Sequence, residues 1–496
     1  MSIKSFFARP YANVVHRNIN KWSMDAARAQ EFLFHKLINQ AKKTVFGKEH
    51  GFNEIISHEE FVKRVPIRDY EALIPYIEKI KTGEKDVLWP GKPVYFAKSS
   101  GTTSGVKYIP LTKDSIPNHI NSARNALLLY ISENNNSEFV NGKMIFLSGS
   151  PVLENVNGIL TGRLSGIVNH HVPKYLKGNQ LPSFTTNCIE DWEQKVDAIV
   201  EETYDQNMTL ISGIPPWVQM YFEKLLQKTG KKTIKEIFPN FNLLIYGGVN
   251  FEPYRSQLFN TIGEEIDSIE TYPASEGFIA YQDSQKEKGL LLNVDSGIFF
   301  EFIPTTEVFN ENPTRITIKD IELDVNYALV INSNAGLWGY LIGDTIKFVS
   351  KNPYRIVVTG RIKHFISAFG EHVIAEEVEG ALMELCNEEK VSVTEFTVAP
   401  QVNPKQGLPY HEWLIEFSNS PNDLIFFRNK LDKLMQEKNI YYKDLITGNI
   451  LEPLHISSLP KESFRNYMKS VGKLGGQNKV PRLTNDRNLA DALLSL

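Results

Sequence analysis

The order of apolar runs along the chain constrains its fold more than any other feature. From about residue 94 to residue 273, short apolar runs alternate with longer amphipathic ones. They read VYFA, a helix near 114–133, MIFLSG, a helix near 190–203, TLISGI, a helix from Pro215, NLLIYGG, a helix from Pro253, and IDSIETY. Such strand–helix alternation predicts a largely parallel sheet covered by helices. Ligands of these sheets sit outside the carboxyl ends of the strands. Between about 290 and 360 the helical pattern stops, and GIFFEFIP, RITIKDIELDV, YALVINS, GYLIGDTIKFV and YRIVVTGR follow one another. That stretch predicts an antiparallel or barrel-like subdomain.

Upstream, Leu33, Leu37, Ile38, Ala41 and Val45 recur at helical spacing over 25–47, with Gly47 as the expected C-terminal cap. A second helix is expected over 68–82, ending at Gly83. After Arg361 the pattern becomes a helix near 374–387, strands TEFTVAP and HEWLIEFS, a helix near 422–438, a strand near 449–457 and a helix near 462–473. These 130 or so residues suffice for a separate small domain. The expected class is therefore α/β. A large N-terminal domain of mainly parallel sheet, with a β-rich subdomain, spans 1–359. A smaller mobile α+β domain spans 360–496, and the boundary lies within Thr359 to Lys363.

Composition narrows the partners. With 54 basic against 58 acidic residues, the formal charge of -4 argues against nucleic acid, which needs a concentrated basic face. The 42% hydrophobic and 23% charged content is that of a globular chain. No apolar run approaches the roughly 18 residues of a membrane helix. The first 24 residues carry Lys4, Arg9, Arg17 and Lys21 without an acid, but lack the apolar core of a targeting peptide and read as a packing helix. Two distant cysteines, Cys188 and Cys386, make no disulfide framework or thiolate zinc site, which fits a reducing cytoplasm.

Five segments carry chemistry. KSSGTTSGVKYIPLT, from Lys98 to Thr112, follows a strand and packs hydroxyls and glycines into Ser99–Gly105. Small residues admit close backbone approach, their N–H and O–H groups suit phosphate oxygens, and Lys107 adds a positive charge. It is not a Walker A loop, because Val106 stands where lysine would follow the glycine. ETYPASEG places Glu276 at a strand end, where one carboxylate suits Mg²⁺ beside bound phosphates, and Tyr272 offers a flat face for a base. In GLWGYLIGD, Asp344 follows a glycine and can accept hydrogen bonds from ribose hydroxyls. VTGRIKHF places Gly360 and Arg361 at the boundary, as a hinge requires, and GGQNKVPR sets Lys479 late in the small domain. Taken singly, each has a plainer reading as a polar turn, an exposed acid or a solvated lysine.

Their order is more informative than any one of them. The sequence resembles the adenylate-forming superfamily of acyl-CoA synthetases, luciferases and peptide-synthetase adenylation domains. Within it, the stretch from Phe61 to Arg482 is most similar to the auxin-responsive acyl acid–amido synthetases, which include the plant auxin– and jasmonate–amino acid conjugating enzymes. VPIRDYEALIPYIEKIKTGEKDVLWPGKPVYFAKSSGTTSG resembles that family's lead-in and phosphate loop, ETYPASEG its adenine and metal motif, GYLIGD its ribose motif, and GGQNKVPR its closing lysine motif. Leu341 stands where the plant proteins usually have arginine, and Ser367 where acyl-CoA synthetases commonly have lysine.

The resemblance implies that Ser99, Ser100, Thr102 and Thr103 hold ATP phosphates, with Lys107 nearby. Tyr272, Ala274, Ser275 and Glu276 would contact adenine, the α-phosphate and Mg²⁺, with Glu276 on the metal, and Gly247 and Gly248 would form part of the adenine slot. Asp344 would bind ribose, Arg361 would lie at the hinge, and Lys479 would reach the α-phosphate. Arg124, on the helix after the phosphate loop, is the candidate for positioning the carboxylate substrate. The expected reaction is ATP-dependent activation of a small carboxylic acid as acyl-adenylate, then transfer to an amine, an amino acid by the resemblance. Coenzyme A as acceptor, or a nucleotide-binding regulator without turnover, are the alternatives.

Overall fold

The computed structural model describes residues 3–102, 105–172, 177–249, 251–362, 365–366, 373–448, 450–475 and 478–495. Contacts divide the chain into two compact units. One comprises Met1–Val249 with Phe259–Val357, the other Asn250–Leu258 with Val358–Leu496. No helix among the described residues is long and apolar enough to cross a membrane, and Cys188 and Cys386 are both free.

In the first unit, eleven strands among the described residues form one sheet. Their order is Ile298–Pro304, Asn326–Ser333, Tyr340–Lys351, Tyr354–Arg361, Leu290–Leu292, Gly277–Tyr281, Asp267–Ala274, Leu243–Gly247, Met208–Ser212, Lys143–Phe146 and Gln180–Leu181. The division between the units falls inside Tyr354–Arg361. From Lys143–Phe146 through Asp267–Ala274 the strands are parallel. Met208, Leu210, Ile211, Leu243 and Leu244 are fully buried, as continuous apolar strands must be when both faces are covered. The helix-free region extends this same sheet with antiparallel strands and forms no separate barrel.

The VYFA run lies outside that sheet. Tyr95–Thr102 pairs antiparallel with Gly105–Leu111 and parallel with Ile159–Arg163, in a four-stranded sheet completed by Glu154–Val156. The apolar run KYIPL so soon after VYFA folds back as a hairpin partner before any helix intervenes. Two helical expectations also shift. The 25–47 helix breaks after Ala41, and Val45–Glu49 restarts under a Thr44 cap whose Oγ1 accepts from Gly47 N at 2.9 Å. Gly47 is therefore inside a helix, where a Cβ would collide with the Ala41 carbonyl. Helix Tyr70–Lys81 does end before Gly83, whose φ is 100°.

The second unit has its own core. Strands Ser392–Gln401, Tyr410–Asn419 and His455–Leu459 form a sheet, the last pair parallel. Helices Ala375–Glu389 and Leu424–Lys438 enclose Val378, Leu382, Phe396, Trp413 and Leu431 with it. The strand expected near 449–457 begins only at His455, because a helix, Ile440–Thr447, precedes it. Asn439 starts that helix by accepting Tyr442 N–H at 2.8 Å, a side-chain cap that apolar spacing does not register. Asn250–Leu258 joins this unit through Tyr254. Its hydroxyl accepts from Arg482 Nη2 at 2.6 Å and donates to Glu395 Oε2 at 3.1 Å.

Candidate functional site

In the first unit, the carboxyl ends of two adjacent parallel strands start the site. Gly247 pairs with Thr271, and a Cβ on Gly247 would strike the Thr271 carbonyl, so glycine is needed for the strands to approach here. Gly248 follows at φ 85°, which turns the chain away. On the neighbouring strand, Ala274 pairs with Gly277 across a tight turn carrying Ser275 and Glu276, both buried. Asn118 fixes this turn from behind. Its Oδ1 accepts Phe278 N–H at 2.6 Å, and its Nδ2 donates to Ser296 Oγ at 2.9 Å.

Asp344 arrives from Tyr340–Lys351 through a bulge. Ala328 faces Thr345 and Val330 faces Leu341, so four steps on one strand oppose two on the other. Gly343 lies inside this interval at φ 92°, a geometry that re-aims the following side chain. The Tyr272 hydroxyl, on an otherwise buried ring, donates to Asp344 Oδ2 at 2.6 Å. From the same strand, the buried Tyr340 hydroxyl donates to Glu276 Oε1 at 3.2 Å and accepts from Lys107 Nζ at 3.4 Å. Burial pushes the Glu276 carboxyl above its ordinary range; Lys107 opposes that rise and Asp344 adds to it. Two carboxylates, one ammonium and two tyrosine hydroxyls thus converge. Burial raises the cost of Glu276's negative charge, and a divalent cation would relieve it. One or two carboxylates completed by phosphate oxygens and water suit Mg²⁺ in particular.

The phosphate-loop segment forms a hairpin. Ser99 pairs with Lys107 and Thr102 with Gly105, while the strand Tyr95–Thr102 includes Ser100. Thr103 lies outside the described residues, as do Lys363 and Ser367. Arg124, exposed on Ile116–Asn134, donates to Asn125 and opens onto a cleft of about 430 Å³ that Lys36, Lys113, Asn118 and Asp295 also line. That lining includes neither Tyr272, Glu276 nor Asp344. Arg361 ends its strand, exposed, in the second unit. Lys479, also exposed in that unit, lies three residues before the buried Arg482. Arg482 Nε donates to Glu379 at 2.9 Å, it pairs with Glu395, and its carbonyl accepts Val398 N–H at 2.9 Å. The lysine segment is thereby tied to the sheet of its own unit.

Sequence reasoning missed Tyr340 and Asn118. Tyr340 sits inside the GYLIGD motif and could have been read from it. Asn118 carries no signal beyond being a polar residue on a face that packs inward.

The sequence matches the GH3 family N-terminal domain over residues 15–183, the GH3 family central domain over 291–361 and the GH3 family C-terminal domain over 376–488. The chain belongs to the GH3 family. Relatives in that family include jasmonoyl–L-amino acid synthetase JAR4 of Nicotiana attenuata, 23% identical over 94% of this chain and 92% of its own length. Indole-3-acetic acid-amido synthetase GH3.3 of Arabidopsis thaliana is 21% identical over 94% and 91%. Among solved structures, the GH3.15 acyl acid amido synthetase in complex with 2,4-DB superimposes with a TM-score of 0.78 at 16% identity, covering 98% of this chain and 96% of its own. A 2-hydroxyisobutyryl-CoA ligase in the postadenylation state with 2-HIB-AMP gives 0.60 at 12% identity, over 95% and 92%. At these identities the structural likeness speaks for the fold alone, which the CoA ligase shares.

Proposed function

We propose that this GH3 protein is an ATP-dependent acyl acid–amido synthetase. It would activate a carboxylic acid as acyl-adenylate, release pyrophosphate, and pass the acyl group to an amino acid. The observation that carries the reading is the convergence of Tyr272–Asp344 and Lys107–Tyr340–Glu276 beside the carboxyl end of strand Asp267–Ala274. Relatives across nearly the whole chain that are named as amino acid conjugating synthetases support it.

A carboxylate resists attack by an amine because an oxide would have to leave. When the carboxylate oxygen attacks the α-phosphorus of ATP, that oxygen departs later as part of AMP, a far better leaving group. Asp344, oriented by Tyr272, would accept from the ribose hydroxyls. Gly247, Gly248, Ala274 and Ser275 would frame the adenine, while Ser99, Ser100, Thr102 and Thr103 would donate to phosphate oxygens. Mg²⁺, held by Glu276, would offset charge gathering on the phosphates, and Lys107 and Lys479 would add donors. Arg124 would position the acid's carboxylate, since Asn118 lines the same cleft and also holds the turn that carries Glu276. Rotation about Thr359–Lys363, with Arg361 at the hinge, would withdraw Lys479 and admit the amine.

The test is a mass-spectrometric screen of carboxylic acids against amino acids and coenzyme A. AMP together with new amides supports the reading. AMP with thioester only would make the chain an acyl-CoA ligase, and nucleotide binding without turnover would make it a regulator.

A further inference from the structure

A buried ion pair lies behind the site in the antiparallel part of the first unit. Glu301, fully buried on Ile298–Pro304, accepts from Arg315 Nε at 3.0 Å and Nη2 at 2.6 Å. His58 Nε2 lies 2.7 Å from the same carboxylate. Burial works against its ionisation, but Arg315 and His58 outweigh burial and hold the carboxyl at about 2. Burying two charges is costly, and such pairs are weak evidence for stability as such.

The chain of contacts leads to Glu276. Asn332, 1% exposed on the neighbouring strand, donates from Nδ2 to Glu301 Oε2 at 2.7 Å. That bond fixes which way the amide faces, so Oδ1 points to Gly339 and accepts its N–H at 2.6 Å. On its other side, Gly339 O accepts from Arg68 N at 2.8 Å, and Leu341 N donates to Arg68 O at 2.8 Å. The φ of 57° at Gly339, and the Pro66 carbonyl where a Cβ would stand, require glycine at this point of the backbone. Tyr340 leaves from this pinned point, and its hydroxyl reaches Glu276.

We propose that Asn332, oriented by the Glu301–Arg315 pair, is a positioning residue that sets Tyr340 against the metal-holding carboxylate Glu276. The proposal rests on the reading of Glu276 as the Mg²⁺ carboxylate. Asn332→Leu removes both bonds at similar volume, and Tyr340→Phe removes the hydroxyl alone. Both act through one chain, so their effects on metal dependence overlap instead of adding.

The experiment is calorimetric titration of full-length protein with ATP at graded Mg²⁺, alongside hydrogen exchange at Gly339. Asn332→Leu should raise the Mg²⁺ concentration for half-maximal ATP binding about fivefold, and the double variant with Tyr340→Phe should add little, as coupled sites do. Gly339 exchange should quicken in Asn332→Leu and stay slow in Tyr340→Phe. Asn332→Asp is the second variant, useful if leucine does not fold. Its new carboxyl beside Glu301 takes up a proton on acidification and can then donate to Glu301 while accepting from Gly339. The Mg²⁺ midpoint of that variant, taken relative to the parent at each pH, should approach the parent's as pH falls. Additive effects, an unchanged Mg²⁺ midpoint, or an Asn332→Asp midpoint whose ratio to the parent does not change with pH would overturn the positioning role. Glu276→Gln separates the layers. A Mg²⁺ dependence that survives it overturns the reading of Glu276 itself, and the proposal with it.

Discussion

Tyr272 and Asp344, 72 residues apart in sequence, are joined by a hydrogen bond of 2.6 Å from the tyrosine hydroxyl to carboxylate Oδ2. It ties the strand that ends in the Ser275–Glu276 turn to the bulged strand that delivers Asp344. Such a bond fixes the plane of the carboxylate, as the proposed ribose contact would require.

Removing that tie should loosen the acceptor without deleting it. Tyr272→Phe is expected to weaken ATP binding by about 1 kcal/mol, and Asp344→Ala by about 2 kcal/mol, as for neutral and charged hydrogen-bond partners. Calorimetry on folded variants checks both. Unchanged affinity in Asp344→Ala would make the Gly343–Asp344 bulge a structural feature only.

Glu276 and Glu301 should respond to neutralisation in opposite ways. The Glu276 carboxyl is raised on folding, chiefly by burial. The folded state therefore binds that proton more tightly, and the ionised group becomes a cost as pH rises through its folded value. Glu276→Gln should accordingly raise the melting temperature of the ligand-free protein at neutral pH while removing Mg²⁺-dependent ATP binding. Glu301 is held down at about 2, so its contribution is present above the unfolded carboxylate range and fades as pH falls toward 2. Glu301→Gln should destabilise at pH 7 by roughly 3 kcal/mol, the order expected for breaking one side of a buried pair. Urea melts from pH 7 downward test this, and the gap between variant and parent should narrow on acidification.

Much of this was legible in sequence, for identifiable reasons. The parallel strands announced themselves because Leu243, Leu244, Leu210 and Ile211 must be apolar on both faces. Glu276 and Asp344 stood out because each sits in a motif rich in small residues at an expected strand end, although Asp344 lies within the bulged strand Tyr340–Lys351. Lone polar residues in apolar strands were the overlooked signal. Glu301 in FFEFIP and Asn332 in LVINS are buried groups that must be paired, and pairing partners such as Arg315 and Gly339 cannot be read from periodicity. The break before Val45 was hidden because Thr44 acts as a cap through one side-chain bond, which apolar spacing does not register.

Lys479 provides the cleanest separation of binding from chemistry. Lys479→Ala should leave ATP affinity nearly intact and slow acyl-adenylate formation by roughly 3 kcal/mol, the cost of losing one transition-state donor. Normal acid-dependent pyrophosphate exchange in the variant would remove the lysine from the mechanism.

Ile362 tests the hinge. It is buried just after Arg361, and proline there fixes φ near -65°, resisting the dihedral change that rotation requires. A folded Ile362→Pro protein should retain one half-reaction, pyrophosphate exchange or aminolysis of supplied acyl-adenylate, and lose the other. Wild-type rates in both would place the rotation elsewhere or dispense with it.

The central claim is that the acid's own oxygen attacks the α-phosphorus of ATP, and isotope transfer tests it most directly. A carboxylic acid that supports turnover, labelled with oxygen-18 in its carboxylate, is incubated with ATP, Mg²⁺ and the acceptor amino acid, and the nucleotide product is weighed by mass spectrometry. The account predicts AMP carrying one heavy oxygen, formed in step with the amide. Unlabelled AMP, or ADP with the label in inorganic phosphate, would contradict it.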